Sequence, residues 1–108
     1  MADLGISVRH VRILLTLADG PLHGYAISAS IERETNGAVA LRPGSLYRAI
    51  HQLLERELIE ETPDSEEDPR RRTYRLTGAG RVALSDELAL LRELVRQGRR
   101  LGVTGAGP

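Results

Sequence analysis

The chain of 108 residues has no cysteine, lysine, phenylalanine or tryptophan. Without cysteine there is neither a disulfide framework nor a thiolate metal site. With three tyrosines as its entire aromatic content, the core must be built from Leu, Ile, Val and Ala. An aliphatic core in a chain this short has limited stability, and dimerisation is a common remedy. No uncharged run approaches the roughly 18 residues that a transmembrane helix needs. Met1-Ala2-Asp3-Leu4-Gly5 has no positive n-region before an apolar run, so no signal peptide is expected. A soluble cytoplasmic protein without membrane contact is the expectation. His10, His23 and His51 are scattered and lack HxH or HxxxH spacing, so neither a metal nor another cofactor is expected. No Ser-His-Asp or paired-carboxylate pattern stands out, so the chain is not expected to be an enzyme.

The formal charge balances, with 15 basic and 15 acidic side chains. All the basic ones are arginine. Genome composition bias accounts for that, and so does a preference for bidentate contacts to phosphates or bases; the two explanations are compatible. The charges are segregated. Glu57 to Pro69 holds seven acids and no base, Arg70 to Arg75 holds four arginines and no acid, and Arg42 to Arg56 holds three arginines against Glu55 alone.

Apolar spacing divides the chain into elements. Val8, Val11, Leu14, Leu15 and Ala18 recur at helical intervals after Ser7, a plausible N-cap. Asp19-Gly20-Pro21 ends that helix. A second runs from about Gly24 to Thr35, with Tyr25, Ile27 and Ile31 expected in the core. Ala38-Val39-Ala40-Leu41 is too short for a helix and reads as a brief strand or an extended link. Leu46, Ile50, Leu53 and Leu54 mark a third helix. Its start is ambiguous: Pro43 suits the first helical position but leaves Arg42, which has no acceptor, as the cap, whereas Ser45 would cap a later start. Leu58 to Thr62 and Arg71 to Leu76 read as two strands joined by a polar, proline-bounded loop. Thr77 caps a long helix from Gly78 to Gly98 or slightly beyond.

Helix, helix, helix, hairpin, helix is the winged helix-turn-helix order, mainly α with a small β-hairpin in an α+β fold. It divides into a winged-helix domain over 1–77, a C-terminal dimerisation helix over 78–101 and a disordered tail over 102–108. The stripe Leu84, Leu88, Leu91 and Val95 carries more apolar surface than one small core can use. It reads either as core or as a seam between two copies, with the first helix assisting; its excess of leucine favours the seam.

Three stretches resemble PadR-type transcriptional regulators. Gly20-Pro21-Leu22-His23-Gly24-Tyr25 resembles their "G-P-x-H-G-Y" turn. Arg42-Pro43-Gly44-Ser45-Leu46-Tyr47 resembles their "P-G-[ST]-L-Y" start of the recognition helix. Tyr74-Arg75-Leu76-Thr77-Gly78-Ala79-Gly80 resembles their "Y-x-L-T-x-x-G" exit from the wing. Order and spacing agree from about Ile13 to Leu84. The resemblance implies a homodimeric winged-helix protein that binds double-stranded DNA, commonly a repressor released by a small-molecule effector. Two positions depart from the pattern. The family usually has glycine where Glu57 stands, and a left-handed backbone there would cost glutamate about 1 kcal/mol. It often has Ser or Thr before Pro-Gly, where this chain has Arg42.

On that reading Ser45, Tyr47, Arg48, His51 and Gln52 face the major groove, with Arg42 near phosphate. Arg48 can pair with guanine and Gln52 with adenine. For Tyr47 the alternative is a ring packed toward the second helix. Arg70, Arg71, Arg72 and Arg75 lie on the wing, where arginine suits the minor groove and its phosphates; the alternative is pairing with neighbouring acids. The acidic tip, Glu66, Glu67 and Asp68, would point away from DNA. Gly24 is expected to allow close approach or positive φ, and Gly78 with Gly80 to let the last helix rotate. A two-fold dimer would read an inverted repeat with half-sites about 10 base pairs apart or a multiple of that. The competing functional reading is a winged helix that binds another protein through the same face.

Overall fold

A computed structural model describes residues 6–63 and 72–103. Arg70, Arg71 and the acidic tip lie outside the described residues, as do 104–108 of the expected tail. Helix α1 (Val8–Leu17) buries Val11, Ile13, Leu14 and Leu17. At its start the His10 ring accepts the Ser7 backbone N–H through Nδ1, at 3.0 Å. A two-residue strand, β1 (Leu22–His23), leads into α2 (Gly24–Glu34), which buries Gly24, Ile27 and Ile31. Of the two readings of Ala38–Leu41 the link holds: those residues form no strand and lead into α3 (Pro43–Glu55). The third strand comes from β1, which pairs Leu22 with Tyr74 and His23 with Thr73. Two residues are too few for a pattern of alternation to be seen in the sequence.

Helix α3 opens with Pro43, and Arg42 holds the N-cap position without a side-chain bond. Strands β2 (Ile59–Pro63) and β3 (Arg72–Leu76) are antiparallel, and the sheet order is β1-β3-β2. Their register pairs Ile59 with Leu76, Glu60 with Arg75 and Glu61 with Tyr74. Because side chains alternate along a strand, Ile59, Glu61, Arg72, Tyr74 and Leu76 share one face. Glu60, Thr62, Thr73 and Arg75 share the other, where the two threonine hydroxyls lie 2.6 Å apart. Ile59 and Tyr74 join the core.

Helix α4 (Gly78–Arg100) is roughly 34 Å long at the α-helical rise. Its first turns close the core with Ala83 and Leu84. Leu84, expected on the seam, is therefore part of the protomer's own core. Leu88 and Leu91 pack partly against that core, and beyond them the helix extends past the body of the domain.

The junction from α3 to β2 is an αL turn. Glu57 has φ 62°, the left-handed backbone that its place in the family pattern implied. The Leu58 N–H donates to the Leu53 carbonyl at 3.0 Å and the Glu57 N–H to that of Leu54 at 2.9 Å, the six-to-one and five-to-two bonds of a Schellman motif. The start of α4 is bonded to this turn. The Thr77 hydroxyl donates to the Glu57 carbonyl at 2.8 Å and accepts from the Gly80 N–H at 2.9 Å. The Thr77 N–H donates to the Leu58 carbonyl at 3.1 Å. Gly80 is buried, and a Cβ there would run into that same carbonyl oxygen. The junction expected to be a hinge is bonded to the turn that ends α3, and Gly80 is required there for close approach.

Two substitutions test this joint in opposite directions. Glu57→Gly should raise unfolding stability by about 1 kcal/mol by removing a side chain from the left-handed region. Gly80→Ala should destabilise the fold, because α4 would have to move off β2. Urea midpoints of both variants check the pair, and an unaffected Gly80→Ala would reinstate a loose junction.

Candidate nucleic-acid interface

The geometry of α3 decides which side chains are available. Leu46, Ala49, Ile50 and Leu53 are buried, which turns Gly44, Arg48, His51 and Glu55 outward. Ser45 is half-buried on the flank. Arg42 is exposed at the N-terminus of the helix. Neither Arg42 nor Arg48 forms an ion pair with any described residue.

Gln52 is placed differently from its expected companions. Its Oε1 lies 2.8 Å from His10 Nε2. Because His10 Nδ1 already accepts a backbone N–H, the neutral ring carries its proton on Nε2 and donates it to Gln52. The pair joins the end of α3 to the start of α1, on the flank of the outward face. No sequence spacing could show a contact across 42 positions.

Tyr47 is 46% exposed and lies against the N-terminus of α2. A Cβ at Gly24 would fall 2.6 Å from the Tyr47 hydroxyl oxygen and 2.9 Å from two ring carbons. Gly24 is thus needed for close approach, and the ring of Tyr47 packs on the α2 side. Tyr25, expected in the core, is 79% exposed. It precedes Ile27 by two residues, about 200° round a helix, so the spacing of Ile27 and Ile31 already placed it on the outer face. It adds an aromatic hydroxyl at the start of α2, a candidate that sequence reasoning missed.

The described wing arginines are both paired. Arg75 donates from Nε to Glu60 Oε2 at 2.7 Å, and its Nη2 is 2.6 Å from the same oxygen. Arg72 Nη1 is 2.7 Å from Glu61 Oε2. Below them, burial raises the Tyr74 hydroxyl pKa above its usual 10.0, helped by Glu61 and Tyr47 and opposed by Arg72. Among the described residues no group of His, Asp and Glu could hold a metal ion.

Three helices, a hairpin closed by a short third strand, and an exposed face on α3 that carries Arg48 and His51 are the parts of a winged helix-turn-helix. The sequence model of the transcriptional regulator PadR-like family matches residues 13–86. The chain belongs to this family. The match covers all three motifs that carried the resemblance. The chain is 32% identical over 87 residues to transcriptional regulator Rv3488 of Mycobacterium tuberculosis, covering 81% of this chain and 78% of that protein. It is 47% identical over 75 residues to an uncharacterised 37.1 kDa protein in transposon TN4556 of Streptomyces fradiae, covering 69% of this chain. The match takes in 20% of that relative's length. The fold also matches Bacillus subtilis PadR, solved in complex with operator DNA, with a TM-score of 0.68 and 24% identity over 77% of this chain and 46% of that one. The family is one of transcriptional regulators. No helix among the described residues is long and apolar enough to cross a membrane.

The Tyr74 hydroxyl gives a pH dependence with a definite sign. Its pKa is higher folded than unfolded, so the stability tied to the neutral phenol is complete below about 10 and is lost as pH rises toward the folded value. Urea midpoints measured from pH 8 to 11 should fall at the alkaline end, and Tyr74→Phe should flatten that fall. An identical slope in both proteins would remove Tyr74 as its source.

Proposed function

We propose that the protein is a homodimeric PadR-like repressor that reads an inverted-repeat operator with α3 in the major groove. The observation that carries the reading is the outward face of α3. Arg48 and His51 are exposed there, with Arg42 at the start of the helix, on an element whose other side is fixed in the core. An unpaired arginine on a rigid helix can present its planar fork to the O6 and N7 of a guanine. The operator complex of Bacillus subtilis PadR supports double-stranded DNA as the partner. Ser45 and Arg42 would hold phosphate, and Tyr25 and Tyr47 would add hydroxyls at the start of α2.

The dimer follows from the far half of α4. Leu90 is 58% exposed, Leu94 61%, Val95 48% and Leu101 70%. Leu90, Leu94 and Leu101 continue the side on which Ala83 is buried, while Val95 continues the stripe of Leu88 and Leu91. Val8 and Leu15 of α1 are also more than half exposed. Packed about a two-fold axis, two such surfaces make an isologous interface. The Leu91–Val95 part of the expected seam is retained, and Leu90 and Leu94 join it. An effector would act by favouring one angle between the two winged helices, transmitted rigidly because α4 is bonded to the end of α3.

Purified protein should bind duplex DNA from upstream of its own coding region, with an affinity that falls steeply as salt rises. Arg48→Ala should cost about 1–3 kcal/mol on that DNA and relax preference at one base pair. Equal losses on specific and random duplexes would refute base readout. Leu94→Asp with Val95→Asp should give monomers in sedimentation and lose tight DNA binding; a monomeric wild type at micromolar concentration would overturn the dimer.

A further inference from the structure

The basic groups of the two DNA-facing elements are in different states. Arg42 and Arg48 on α3 have no acidic partner among the described residues, whereas Arg72 and Arg75 on β3 are both engaged by glutamates of β2. The engagement is built into the register. Glu60 is directly opposite Arg75, and Arg72 is the diagonal neighbour of Glu61 on the other face. Glu60 takes two donors from one guanidinium on a single carboxylate oxygen. All four side chains remain partly exposed, at 53% and 47% for Arg75 and Glu60 and 54% and 31% for Arg72 and Glu61. The pairs are therefore open to competition by phosphate.

We propose that Glu60 and Glu61 limit the protein's affinity for DNA: their carboxylates compete with phosphate for the wing arginines, on random and cognate duplexes alike. The proposal rests on the DNA-binding reading above. A guanidinium that turns to a phosphate must leave its carboxylate, and that carboxylate then lies beside the DNA backbone. A carboxylate about 6 Å from a phosphate in water lowers affinity by roughly threefold through Coulomb repulsion alone. On a random duplex nothing else holds the wing near phosphate, so the arginines stay with their glutamates and release no counterions. On a cognate site the base contacts of α3 hold the wing against the backbone, and the exchange goes forward. The two acids thus subtract the wing contacts from non-specific complexes, and in specific ones they exact the cost of breaking the pair and the repulsion that follows. Because the exchange goes forward only where the wing contact outweighs that cost, the acids lower affinity on the cognate site at least as much as on a random duplex.

The experiment measures binding of the full chain, as wild type, Glu60→Gln and Glu61→Gln, to a random-sequence duplex and to the duplex from upstream of its own coding region, across a salt series. Glutamine keeps shape and hydrogen bonding while removing the charge. Each substitution should raise affinity for the random duplex about threefold or more at low salt. Each should also steepen its log–log salt slope by about 0.9, the signature of one added phosphate contact. On the upstream duplex affinity should rise at least as much, with no change of slope. Adding Arg75→Gln to Glu60→Gln should abolish the gain on random DNA, which separates freed arginine from a general change in net charge. An unchanged slope on random DNA, a rise on random DNA without one on the upstream duplex, or a loss of affinity showing that the pairs pre-orient the arginines would each overturn the proposal. Failure of wild type and variants alike to bind either duplex would overturn the DNA-binding reading itself, and this proposal with it.

Discussion

The fold turns on a left-handed residue and the carbonyls around it. Glu57 reverses the chain after α3, and its carbonyl and that of Leu58 accept from Thr77 at the start of α4. The absence of a Cβ at Gly80 lets α4 approach the same carbonyl. The end of α3, the strand that follows it and the start of the long helix, 20 positions further on, thereby share one joint. These bonds tie the start of α4 to the turn that ends α3.

Above this joint the molecule separates its charges by mechanical role. Among the described residues, Arg48 on α3 and Arg42 at its start have no acidic partner, whereas Arg72 and Arg75 of β3 are paired. A free guanidinium on a fixed helix is pre-organised for a planar base edge. A paired one on a two-stranded ribbon is available only by exchange. A net charge of zero would by itself argue weakly against a polyanionic partner. Local segregation matters more than the sum, because salt screens charges more than about 10 Å apart while leaving a close array on one face intact.

The long helix serves the domain at one end only. Its N-terminal turns complete a core that contains no aromatic residue other than Tyr74. Its outer turns present leucine and valine that no described residue covers. The small aliphatic core and the uncovered stripe are two aspects of the same shortage of buried surface, and a two-fold partner would answer both.

Much was legible in the amino-acid sequence. The periodicities of α1, α3 and α4, the Pro43 start and the Thr77 cap placed the helices, and the order of elements with three short motifs indicated the winged helix. Those signals are local, set by neighbours within a turn or two of helix or along one strand. What the sequence could not decide depended on contacts between distant segments. His10 binds Gln52 across 42 positions and draws it to the flank of α3. Strand β1 exists because β3 offers it an edge. Leu84 and Leu94 look alike in a leucine stripe, yet one is buried and the other exposed because the domain ends between them. Tyr25 was misassigned to the core although its helical angle was already readable. Glu57 was recognisable as a departure, but only the tertiary structure showed its left-handed φ and the bonds that hold it there. The sequence by itself determined the elements and their chemistry; the tertiary structure decided which charges are free and which are held, because that depends on strand register and on carbonyls brought together from separate segments.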